Sequence, residues 1–105
     1  MSLSFETDKH GYMINAAEWT EEIAEQIAAS EQLELTQDHW QVIHYVRHFF
    51  EQYNTSPAIR PLVKYLKIHL GEEKGNSIYL HTLFPEGPAK QATKIAGLPK
   101  PARCT

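Results

Sequence analysis

Cysteine is almost missing from this chain: its 105 residues include one, Cys104, next to the last position. One cysteine excludes an internal disulfide and with it a disulfide-stapled fold. Long apolar runs are missing too, and nothing approaches the roughly 18 residues a membrane-crossing helix needs. The opening Met1-Ser2-Leu3-Ser4-Phe5-Glu6 lacks the basic start and apolar stretch of a secretion signal, which leaves the reducing cytosol as the expected compartment. There is no surplus of cations, because the net charge is −3, so nothing global points to nucleic acid. What remains is ordinary: 42% hydrophobic and 22% charged residues, enough for one domain with a modest core.

The charge is unevenly spread. Residues 88–105 carry Lys90, Lys94, Lys100 and Arg103 without an acid, while the rest holds 13 acids against the remaining six of the 10 bases. A basic tail is joined to an acidic body. It can fold back on that body or dock on an acidic partner.

Local patterns predict a mainly α protein: a small helical bundle with an N-terminal β-hairpin, a helix-turn-helix-like segment and an extended, mobile C-terminal arm. Leu3–Thr7 alternates, Asp8–Gly11 supplies turn residues and Tyr12–Ile14 is apolar again, which reads as the hairpin. Asn15 is a candidate cap for a helix to about Ser30, with Trp19, Ile23 and Ile27 every four residues. Thr36 caps a second helix reaching Asn54, whose wide apolar face makes it the expected central helix. Ser56-Pro57 resembles a helix start, although Pro61 argues for a late start or a distorted first turn. A short helix follows Asn76 and stops at Pro85, and a last one runs from Ala89 to about Ala96 with Gly97 as its cap. The expected division is a body over residues 1–96 and an arm over residues 97–105.

Several groupings invite chemistry. His44 and His48 are four apart on one helix face, a spacing that suits two metal ligands. No cysteine or suitably spaced acid accompanies them, so no metal is expected, and nothing suggests a cofactor. The helix-turn-helix-like run from Ser56 to Phe84 suggests DNA binding, but its second helix has no Arg or Lys to meet phosphates and base edges. Arg60, Lys64 and Lys67 form a stripe that is either a solvated face or a positive lip beside a docking groove. No Ser-His-Asp or Cys-His set exists for a self-contained hydrolase site.

Cys104 remains. It ends the stretch Gly97-Leu98-Pro99-Lys100-Pro101-Ala102-Arg103, in which Pro99 and Pro101 favour an extended arm spanning roughly 20 Å at about 3 Å per residue. Gly97 is the expected hinge. Lys100 and Arg103 favour thiolate, the form that attacks a sulfur donor, and persulfide is a reversible state of such a residue. An idle cysteine on a frayed tail, in a non-catalytic interaction module, fits the same position.

The chain closely resembles the TusE/DsrC family of sulfur-relay proteins, specifically its TusE branch. The resemblance lies in Asp8 with Gly11-Tyr12, Trp19, Leu35-Thr36 with His39-Trp40, Asn54 to Arg60, Gly71 to Ser77, Leu83-Phe84-Pro85 and Gly87 to Ala92. It ends in the long run Lys94 to Pro101 and in Cys104. It implies a small helical fold with a hairpin and a mobile arm, on which Cys104 accepts sulfane sulfur as a persulfide. It further implies a TusBCD-like upstream sulfurtransferase complex as donor and an MnmA-like tRNA thiolase, making wobble 2-thiouridine, as acceptor, with tRNA involved only indirectly and no membrane. The DsrC branch serves dissimilatory sulfite reductase and carries a second cysteine about ten residues upstream, where this chain has Thr93, Lys94 and Ile95. An internal disulfide or trisulfide cycle is therefore impossible here, which favours the TusE branch. Against the family pattern the N-terminus is short, which implies that the first strand of the hairpin region is missing. Arg60 and Lys64 are further candidates for contact with the arm or a partner.

Overall fold

A computed structural model describes residues 5–101 of the chain. Five α-helices follow a 3-10 turn at Ala16–Glu18: α1 (Glu21–Ser30), α2 (Gln37–Tyr53), α3 (Ile59–Leu70), α4 (Ser77–Leu83) and α5 (Pro88–Ile95).

The hairpin is not formed. Among the described residues it reduces to one antiparallel bridge between Thr7 and Met13, and the outer part of its first strand lies outside them. The reason is local. Tyr12 and Met13 are neighbours and both are buried, whereas a strand sends neighbours to opposite faces. Asp8 instead closes a tight loop, accepting the backbone N–H groups of His10 and Tyr12 at 2.8 and 3.0 Å. Asn15 caps only the 3-10 turn, and Thr20 caps α1 by accepting the Ile23 N–H at 3.2 Å. The single helix expected from Asn15 to Ser30 is thus broken at Trp19.

α2 runs as expected and stops at Asn54, which adopts the left-handed conformation at φ 56°. Its first turn is tied down by His39. The Nδ1 atom accepts the Thr36 N–H at 3.1 Å, so the proton resides on Nε2, which donates to the Leu83 carbonyl at 2.7 Å. This joins the start of α2 to the end of α4. α3 starts late, capped at Ala58, so Pro61 falls in the first turn, where a missing N–H costs nothing. Gly75 lets the α3–α4 connection lie against the Lys67 backbone, where any Cβ would collide.

The hub is α5 rather than the longer α2. It packs on α1, α2, α3 and α4. Pro88, Ala89, Gln91, Ala92, Thr93 and Ile95 are all buried, and its small residues admit the other helices closely. Phe84, fully buried before α5, fills the centre and meets the His39 ring edge-on with centroids 5.1 Å apart. Phe84→Ala should therefore cost about 3–5 kcal/mol of a total stability of about 5–15 kcal/mol. Urea denaturation checks this, and a loss below 1 kcal/mol would show that the centre lies elsewhere.

Candidate functional site

The cysteine arm leaves the body at the C-terminal end of α5, and its root is built from four separate pieces of chain. Helix ends leave carbonyls without partners. Here a Schellman turn satisfies two of them: Gly97 N–H donates to the Lys94 carbonyl at 3.1 Å and Leu98 N–H to the Thr93 carbonyl at 3.2 Å. Gly97 sits at φ +73°, and a Cβ there would collide with the Trp19 ring and the Met13 sulfur. The position is glycine for two reasons, conformation and space.

Two side chains satisfy the next carbonyls. Trp19 donates its indole N–H to the Ile95 carbonyl at 2.8 Å, and Arg47 donates from Nη1 to the Ala96 carbonyl at 2.6 Å. The Arg47 guanidinium also lies 4.3 Å from the Trp19 ring centroid, a cation–π contact. Its pKa is lowered by burial, with Glu51 opposing the shift, yet an arginine keeps its charge under any physiological condition. Farther along, the Ser56 hydroxyl donates to the Pro99 carbonyl at 2.6 Å. Ser56, expected as a helix cap, anchors the arm instead.

Gly97 and Leu98 are buried, Pro99 and Lys100 are exposed, and Pro101 is buried again. The expected hinge residue is therefore packed, and the described part of the arm lies on the body. Arg103 and Cys104 lie outside the described residues. In the region upstream of the cysteine, Thr93 and Ile95 are fully buried and Lys94 is bound to Glu31 at 2.7 Å.

Lys100 borders a cleft of about 300 Å³ together with His10, Tyr12, Lys90 and Lys94. Arg60 and Lys64 are placed elsewhere, with Lys67 around a groove of about 390 Å³ floored by Ile59 and Val63. A shallow depression of about 210 Å³, containing Pro88 and Ala89, lies between them, sharing Lys90 with the cleft and Ile59 with the groove. His44 and His48 do not converge on a metal: His44 contacts Glu21 at 3.2 Å and stacks on Trp40, and His48 meets Tyr45. Among the described residues no cluster of His, Cys, Asp or Glu could hold a metal ion, and no helix is long and apolar enough to cross a membrane.

Sequence patterns did not reveal Arg47. The available signal was its place between Ile43 and Phe50 on the apolar stripe of α2, where a cation needs a buried partner.

The chain belongs to the DsrC-like family, whose family model matches residues 2–105. Among its relatives, the sulfurtransferase TusE homolog of Haemophilus influenzae is 60% identical over 102 residues, covering 97% of this chain and 94% of that protein. Sulfurtransferase TusE of Sodalis glossinidius is 61% identical over 98 residues, covering 93% of this chain and 91% of that one. The solution structure of Allochromatium vinosum DsrC superposes with a TM-score of 0.87 at 48% identity, covering 96% of this chain and 90% of that chain. The oxidized γ-subunit of the dissimilatory sulfite reductase (DsrC) from Archaeoglobus fulgidus gives 0.82 at 40% identity, with 96% and 92% covered.

Arg47→Ala should leave the Ala96 carbonyl short of a donor, costing about 1–3 kcal/mol. Amide exchange at Gly97 and Leu98 should accelerate while exchange within α3 stays unchanged. Unaltered exchange at Gly97 and Leu98 would show that Arg47 does not hold the root.

Proposed function

We propose that this protein is a sulfurtransferase of the relay type, carrying one sulfane sulfur on Cys104 to a tRNA-thiolating enzyme. The observation that carries this reading is the lone thiol three positions beyond an anchored root, in a chain about 60% identical to proteins named sulfurtransferase TusE. The donor is an upstream TusBCD-like sulfurtransferase complex, and the acceptor is an MnmA-like thiolase forming 2-thiouridine at the wobble position. tRNA meets the acceptor and not this chain. The reducing cytosol suits the work, because a single thiol stays available there.

The chemistry balances without an external oxidant or reductant. The Cys104 thiolate attacks the terminal sulfur of a donor persulfide, the donor S–S bond breaks, and the donor leaves as its thiolate. Cys104 now bears the persulfide. An acceptor thiolate attacks that terminal sulfur, and the Cys104 thiolate is restored. Lys100 and Arg103 supply positive charge along the arm, favouring the anionic forms of both sulfur species. Pro99 and Pro101 stiffen the anchored root from which the thiol is presented, which reduces the entropy lost when the thiol is placed in a partner.

A sulfite-reductase subunit is the second reading, since the Archaeoglobus fulgidus neighbour bears that title. The buried Thr93 and Ile95, and the lack of any other cysteine, weigh against a two-thiol mechanism of that kind. A DNA-binding role is weaker still, because α4 presents no Lys or Arg.

In a relay reconstituted with isotopically labelled sulfur, the intact chain should gain the mass of one sulfur atom and then lose it to the acceptor. Cys104→Ser should abolish both steps while the fold is retained. Normal wobble thiolation in cells carrying only Cys104→Ser would overturn the reading.

A further inference from the structure

The anchored root sets a distance limit. Pro101 is buried on the body and Cys104 is three residues farther on. Even fully extended, three residues span only about 10 Å. This is about half the reach that an arm free from Gly97 would have. A sulfur inside a partner enzyme can come that close only if the surrounding partner surface covers the body near Pro101. This step rests on the carrier reading above.

The surface available there is distinctive. From the Lys100 cleft it runs over Lys90 and the Pro88–Ala89 depression to Ile59, then into the groove beside Arg60, Lys64 and Lys67. Among the described residues none of the cations Arg60, Lys64, Lys67, Lys90 and Lys100 has a carboxylate within ion-pair distance. Lys94 is the exception, held by Glu31, and Glu86 is the other acid bordering the band. The floor at Ile59, Val63 and Pro88 is apolar. The acids Glu18, Glu21, Glu22 and Glu25 lie instead on the 3-10 turn and α1.

We propose that this band, from Lys100 to Lys67, is the docking surface for the sulfur-exchanging partner protein. The face it recognises carries Asp or Glu side chains around an apolar contact. An apolar floor suits packed side chains, and a protein face can place its few acids clear of Glu86, whereas an unbroken phosphate backbone crossing the band cannot avoid it. Steering by opposite charges raises the association rate and sets the register, while an apolar centre of moderate size permits release.

The test compares two sulfur sources. Wild type, Lys64→Glu/Lys67→Glu and the control Glu22→Lys are each offered labelled sulfur from the persulfide-loaded upstream sulfurtransferase complex or from glutathione persulfide. The double variant should take sulfur from the protein donor about tenfold more slowly at low salt, and the deficit should shrink as salt rises. Its reaction with glutathione persulfide should match wild type, and Glu22→Lys should match wild type with both sources. Undiminished uptake from the protein donor overturns the docking surface alone, as does an equal loss with both sources. Binding of the wild type to tRNA in a gel shift, abolished by the double variant, overturns it in favour of RNA. Uptake by the wild type from neither source overturns the carrier reading and the docking surface together.

Discussion

The capping of α5 by Trp19 and Arg47 is the interaction on which the architecture turns. A helix of eight residues cannot hold itself together in water, and its C-terminal carbonyls are its weakest point. Here they receive an indole N–H from the segment before α1 and a guanidinium from the middle of α2. The same Trp19 ring, with the Met13 sulfur, leaves space for only a hydrogen at position 97. Helix packing, chain exit and arm anchorage are therefore one problem with one solution. A change that loosens the Trp19–Arg47 pair loosens the hub of the fold and the base of the tail together.

Much of this was legible from local pattern. Thr36 and Asn54 bracket α2 because a cap and a left-handed stop are short-range signals. Gly97 was recognisable as a helix cap for the same reason, and Pro61 correctly warned of a late start to α3. What escaped depends on contacts between distant parts of the chain. Trp19 sits in step with Ile23 and Ile27, so periodicity assigned it to their helix, although its real partner is a carbonyl 76 residues away. Ser56-Pro57 carries a helix-start signature, yet the serine hydroxyl reaches Pro99. The hairpin failed because burial of both Tyr12 and Met13 overrides the alternation a strand needs. At the site, the thiol was visible as the lone cysteine, while the residues that hold its tether gave almost no sequence signal.

Charge distribution and fold reinforce each other. The acids are concentrated early in the chain, where Glu21 and Glu22 also favour the N-terminal end of α1. The cations Arg60, Lys64 and Lys67 of α3 border the groove beside Ile59, and Lys90 of α5 borders the cleft with Lys100. Where Lys94 is bound to Glu31, and Gln91 to the same carboxylate at 2.9 Å, a partly buried network joins α5 to the end of α1. Arg60, Lys64, Lys67, Lys90 and Lys100 stay exposed. A body with a net negative charge can in this way present a positive side without giving up solubility.

Burial of Pro101 changes the kinetics of any reaction at Cys104. A long tether must search a large volume, and most of its encounters are unproductive. Three residues can carry a sulfur no more than about 10 Å from Pro101, so a reaction there would be set by the seating of the partner and not by a search of a long tether.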